Sequence, residues 1–176
     1  MDLKEMAYAE GFADAAIIPT AQIPFNEVFR EFCAENLCGQ YGVNYACPPD
    51  SGTFCQMRDR VLAKKQALVL QTLWDISDYS DKEAIRQAKA AHNAAMLRLK
   101  KQMAAGGIPS LMAGASGCAL CSPCQKQEGK PCRFPEDRYS CMSAYCVFVK
   151  ELADRCGMEY SSDPGEVAFF GMLLFD

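Results

Sequence analysis

Histidine is almost absent from this sequence: His92 is the only one in 176 residues. That scarcity excludes a Cys2His2 zinc site and any catalytic metal centre built on several imidazoles. Clustered positive charge is equally thin. With 18 Lys and Arg against 22 Asp and Glu, the formal charge is -4, and Arg98, Lys100 and Lys101 fall within a helical pattern, so no patch exists to hold a phosphate backbone and nucleic acid is not an expected partner. No uninterrupted run of about 18 apolar residues occurs, so no membrane span is expected. Asp2, Lys4, Glu5 and Glu10 stand where a secretory leader would need a basic start and an apolar run, which makes the cytoplasm the expected location. Also missing are a G-x-x-x-x-G-K-S/T phosphate loop and a C-x3-C-x2-C run of the radical S-adenosylmethionine kind; Gly114-Ala115-Ser116-Gly117 is too short for a dinucleotide fingerprint.

Cysteine, by contrast, is in excess, with eleven residues. In an exported chain that density would mean disulfides. Here the odd count, the lack of a leader and a hydrophobic fraction of 50%, enough for a core that needs no covalent staples, favour thiolates that bind metal. One domain over residues 1–176 is expected.

Hydrophobic spacing lays out the elements. Residues 3–16 read as a short helix with Met6, Ala9, Phe12 and Ala13 on one side, running into a β-like Ala16-Ile17-Ile18-Pro19. Residues 20–23, between Pro19 and Pro24, are at best an edge strand. Asn26 then caps a helical turn through Val28, Phe29 and Phe32 into Cys33. Gly39, Gly42, Gly52 and the Pro48-Pro49 pair make residues 39–53 an ordered loop that something must organise. Residues 55–65 read as helix and 67–73 as a buried strand. The longest helix is capped within residues 78–80; Ile85, Ala88, His92, Met96, Leu99 and Met103 line one face until Gly106-Gly107 ends it. A short strand at 108–113 leads into the second cysteine group, residues 140–156 read as a helix stopped by Gly157, and 166–175 close the chain as a strand. The alternation predicts an α/β or α+β fold: a single sheet domain flanked by helices, with cysteine-rich metal loops at 33–55 and 118–135 gathered at one end.

The sharpest local signal is Cys118-Ala-Leu-Cys121-Ser-Pro-Cys124 followed by Cys132-Arg-Phe-Pro135, a C-x2-C-x2-C-x7-C series. Two overlapping x2 spacings supply three thiolates from one tight loop, as a cubane with closely spaced iron corners requires, whereas zinc usually takes its ligands as separated pairs. Small residues (Gly117, Ala119, Ser122) let backbone amides approach inorganic sulfide, and Pro123 and Pro135 stiffen the loop. An iron-sulfur site is expected here, with structural zinc as the alternative. The other group, Cys33-x4-Cys38, Tyr41-Gly42 and Cys47-Pro48-Pro49, with Cys55 eight residues on, is looser. It reads either as a second metal site or as buried structural cysteines.

Together the series Cys33, Cys38, Tyr41, Gly42, Cys47, Pro48, Pro49 and the series Gly117, Cys118, Leu120, Cys121, Cys124, Pro131, Cys132, Arg133, Pro135 resemble a family known as domain of unknown function 2284, described as uncharacterised metal-binding proteins. The resemblance covers most of the chain and implies metal binding of an iron-sulfur kind, with no established reaction. In that pattern the first motif has three cysteines, and Cys55 is not among its usual members. A cubane held by three cysteines would leave one iron open to a substrate.

Further side chains compete for roles. His92 lies on the apolar stripe of the long helix, where a hydrogen-bonded core role is the expected one and a ligand role the alternative. Cys141, Cys146 and Cys156 do not share a helix face and read as buried thiols, with Cys141 a substitute ligand near Cys132. Three functions follow from the cysteines: a module with one or two [4Fe-4S] clusters that passes electrons to a redox partner protein; an enzyme with an open iron on Cys33, Cys38 and Cys47 acting on a small-molecule substrate; or a zinc-stabilised binding module.

Overall fold

The computed structural model describes residues 1–160 and 164–176. Helix α1 (Leu3–Ala9) is capped by Asp2, whose Oδ1 accepts from the Lys4 and Glu5 amides. It ends well short of residue 16, because Gly11 takes a left-handed φ of +94° and the following residues join a sheet. Strand β1 (Asp14–Pro19) pairs along its whole length with β2 (Gln66–Asp75), so ladder hydrogen bonds override the helix-forming alanines at 15 and 16. Residues 20–22 make a 3-10 turn rather than an edge strand. Helix α2 (Phe29–Ala34) follows, and α3 (Phe54–Leu62) starts on a reciprocal capping box between Thr53 and Gln56. Helix α4 (Lys82–Ala105) is capped by Asp81, just past the expected 78–80, through its acceptance of the Ala84 amide.

The remaining elements are β3 (Leu111–Gly114), β4 (Ser140–Cys141), α5 (Val149–Cys156) and β5 (Glu166–Phe175). They complete one five-stranded sheet in the order β1-β2-β5-β3-β4. All neighbours are antiparallel except β3 and β4, which makes the fold a mixed α+β sheet. Side chains alternate across a strand, so Ala67 and Val69 of β2 enter one core while Leu68 and Leu70 enter the other. Met57, Val61 and Leu152 from α3 and α5 close the first face; Leu3, Ala7, Met96, Leu99 and Met103 from α1 and α4 close the second. Burial on both faces is why residues 67–70 form a continuous apolar run. Gly171 in β5 marks the tightest approach: a Cβ there would collide with Met96 Sδ and stand 2.9 Å from the Ala113 carbonyl oxygen.

The largest departure from the sequence expectation lies in residues 140–156. Ser140 and Cys141 form an edge strand, a turn follows, and the helix begins only at Val149. Other segments have taken the backbone groups a longer helix would use. Arg30 Nη2 donates to the Ala144 carbonyl at 2.8 Å, the Asn26 amide donates to the Cys146 carbonyl at 2.8 Å, and the Met142 amide donates to the Gly114 carbonyl at 2.9 Å. Cys146 itself adopts φ +57°. Cys141 is therefore a sheet-edge residue. The helix does stop at Gly157, in a left-handed conformation, as expected. Among the described residues no helix is long and apolar enough to cross a membrane.

Candidate metal centres

Strand β3 delivers the second cysteine loop, and the backbone after it is held by polar side chains from the core. Asn93, buried on α4, accepts from the Ala115 amide at 2.9 Å and donates from Nδ2 to Ser116 Oγ at 2.8 Å. Gly114 permits this closeness, since a Cβ there would stand 2.6 Å from Asn93 Oδ1 and 3.1 Å from the Tyr139 ring. The Tyr139 hydroxyl in turn accepts from the Ala119 amide at 3.2 Å. Cys118 is thus fixed from both sides. Replacing Asn93 with alanine leaves the Ala115 amide and the Ser116 hydroxyl without this partner, and is expected to lower stability by about 1–3 kcal/mol in a urea titration of the variant against the parent.

Cys118, Cys121, Cys124 and Cys132 line a single cleft, together with Asn44, Tyr45, Phe134 and Arg138. Burial pushes the Cys118 thiol up, backbone hydrogen bonds from Leu120 and Tyr139 pull it down, and the Cys132 and Cys121 thiols add to the rise. Amides aimed at sulfur in this way favour a thiolate.

The first cysteine loop lies against the second. Asn44, buried, accepts from the Ala46 amide at 2.9 Å and donates from Nδ2 to the Cys118 carbonyl at 3.0 Å and to Gln40 Oε1 at 3.1 Å. The Tyr45 hydroxyl donates to the Lys130 carbonyl at 2.8 Å, and Lys126 forms an ion pair with Asp50. A Cβ on Gly117 would stand 3.1 Å from Cys47 Sγ, so glycine lets one loop's backbone meet the other's thiol. Within this loop Cys47 is buried, Cys33 half-buried and Cys38 exposed. Burial pushes Cys47 up to about 12, with the Cys141, Cys38, Cys33 and Cys118 thiols acting in the same direction. Cys33 is pushed up to about 11 by burial and then by Cys141, against the pull of Arg30. Thiols so crowded resist ionising together unless a cation lies among them.

All eleven cysteines are free thiols. Among the described residues no three His, Cys, Asp or Glu side chains converge on one point as they would around a single ion. Their chemistry suits soft, thiolate-preferring metals, iron-sulfur clusters and zinc among them. Cys55 is exposed on α3. Burial pushes the Cys146 thiol up, opposed by a hydrogen bond from Arg30, while burial and Asp14 push Cys156 to about 11. His92 is packed between α4, β2 and the N-terminal segment, its Nδ1 2.7 Å from Thr72 Oγ1 and the Phe12 ring edge-on at 5.5 Å. Asn44, Asn93 and Tyr139 escaped the sequence reading; its one available signal was Asn93, a polar residue beside His92 in the helix's apolar stripe.

Residues 16–175 match the model of a family described as "Predicted metal-binding protein (DUF2284)". The chain belongs to that family. The match takes in both cysteine loops and every strand except the first two residues of β1, leaving α1 outside it. Metal binding is the property the DUF2284 description carries, with no metal named. No curated protein and no solved structure matches the chain.

Proposed function

We propose that this DUF2284 protein holds two [4Fe-4S] clusters, one on each cysteine loop, and serves as a cytoplasmic electron-transfer module. The observation that carries the reading is the single cleft lined by Cys118, Cys121, Cys124 and Cys132. A cubane takes one thiolate at each iron corner, so its ligands stand around it, whereas zinc requires its thiolates about 2.3 Å from one point. Four cysteines on one cleft, three of them from a single C-x2-C-x2-C run, supply one thiolate for each corner. Amides directed at Cys118 favour reduction by stabilising negative charge on sulfur.

A bound cluster would supply one-electron storage. The chain's own residues divide the other tasks. Cys118, Cys121, Cys124 and Cys132 would anchor one cluster, and Cys33, Cys38 and Cys47 the other. Asn44, Tyr45 and the Asp50–Lys126 pair keep the two loops side by side, so an electron accepted at one site has a short route to the other. Exposed Cys38 gives a redox partner protein a point of approach, and the acidic surface offers nucleic acid none.

Protein purified without oxygen is expected to carry iron and acid-labile sulfide at about eight of each per chain, and to give a cubane-type paramagnetic signal on reduction. Stoichiometric zinc without iron would overturn the reading.

A further inference from the structure

The first loop offers three cysteines, which by themselves would leave one metal position open. The fold brings in a fourth. We propose that Cys141, at the sheet edge, completes this site, so that Cys33, Cys38, Cys47 and Cys141 together hold its metal group and no position remains for a substrate. The inference rests on reading the first loop as a metal site.

Backbone geometry is what places Cys141 there. Residues 144–148 are sewn to residues 24–30: the Asn26 amide donates to the Cys146 carbonyl at 2.8 Å, the Phe148 amide to the Pro24 carbonyl at 2.9 Å, Phe25 and Val147 form an antiparallel bridge, and Arg30 Nη2 reaches the Ala144 carbonyl at 2.8 Å. Arg30 also donates to the Gly52 carbonyl at 2.9 Å, tying the far end of the first loop to the same point. Cys33 follows Arg30 by three residues on α2, the spacing that puts side chains on one helix face. From the other direction, Cys141 pairs with Gly114, and three residues later Gly117 abuts Cys47 Sγ. Cys141 thus stands where α2, the first loop and the end of β3 meet.

Cys141 Sγ also has a backbone partner already in place, accepting the Ala144 amide at 3.3 Å, an amide-to-sulfur contact of the kind that orients a metal-bound thiolate. The rivals are Cys55, exposed on α3, and Cys146, buried five residues beyond Cys141; the variants below separate both from Cys141.

The test uses full-length chain in a Cys121→Ser background, which silences the second site, reconstituted without oxygen. Adding Cys141→Ser is expected to reduce the remaining iron at least about fivefold and to remove the paramagnetic signal of the reduced protein, while adding Cys55→Ser or Cys146→Ala leaves both in place. Full iron with Cys141→Ser, or loss with Cys55→Ser, would overturn the assignment. A thermal melt checks that each variant folds, and a second measurement needs no change at Cys141: cyanide added to the Cys121→Ser protein is expected to leave the signal unshifted, whereas a shift means an open metal position and refutes the proposal. If the parent carries zinc and no iron, the two-cluster reading fails separately. Zinc lost from the first site on Cys141→Ser then supports the ligand assignment, and zinc retained, or no metal at that site, overturns it.

Discussion

Cys121→Ser protein, loaded with iron and sulfide in the absence of oxygen, is expected to hold about half the iron of the parent and to lose one of two paramagnetic signals. Cys121 is the middle member of the C-x2-C-x2-C run and lines the cleft with Cys118, Cys124 and Cys132. A serine hydroxyl there is a hard, poorly acidic donor in place of a soft thiolate, and a neutral alcohol competes badly for iron. Cys121 belongs to neither buried core, so the sheet should fold as before and far-ultraviolet circular dichroism should not change. The first site should keep its metal, because the contacts tying the loops together run through the Cys118 carbonyl, Lys130 and Lys126 rather than through Cys121. Unchanged iron content in the variant would show that the second loop is not a cluster site.

Stability should fall by about 3 kcal/mol between pH 6.5 and pH 4 on account of His92 alone, a figure that follows from 1.36 kcal/mol per pKa unit. Burial pushes this imidazole down from 6.5 to about 4. Trp74 Nε1 donates to Thr72 Oγ1 at 2.8 Å, so the Thr72 hydroxyl is free to give its own proton to His92 Nδ1 at 2.7 Å. His92 Nε2 has no hydrogen-bond partner among the described residues. Charging the ring places an N–H on both nitrogens, of which only Nδ1 has a partner, and buries a cation in the core. The unfolded chain takes up a proton below pH 6.5 while the folded one holds off until about 4, so acid favours unfolding across that interval and neutral solution carries no penalty. The carboxyls of Asp78, Glu83 and Asp176, all held below the usual range by hydrogen bonds to Ser80, Arg86 and Lys64 in turn, begin to lose their contribution only near the ordinary carboxylate values, so they act mainly below pH 4.5. Urea melts at several pH values should therefore give a shallower slope between pH 6.5 and 4.5 for His92→Leu than for the parent; parallel slopes would rule out the histidine as the cause.

Much of the frame was legible from local pattern. Long apolar stretches read correctly: the buried strand at 67–73 became the interior strand β2, the closing strand became the central β5 over Glu166–Phe175, and the periodic stripe ending at Gly106 became α4. In each, the hydrophobic period and the tertiary environment agree. Short segments of mixed propensity read less well. The alanines at 15 and 16 suit a helix, yet pairing with β2 made them strand; residues 140–148 suit a helix, yet Arg30, Asn26 and Gly114 had claimed their backbone groups.

The same division holds for the cysteine loops that define this DUF2284 protein. Spacing by itself marked Cys118, Cys121 and Cys124 as one group, because three cysteines within seven residues stay close in any compact loop; the tertiary structure adds Cys132 to the same cleft. The neighbours of Cys33, Cys38 and Cys47 could not be read that way. Cys141 lies 94 positions beyond Cys47 in the chain, and only the sheet edge, Arg30 and the bridge from Phe25 to Val147 bring it to them. Contacts over such a separation depend on which backbone groups different segments satisfy for one another, and no local spacing rule records that.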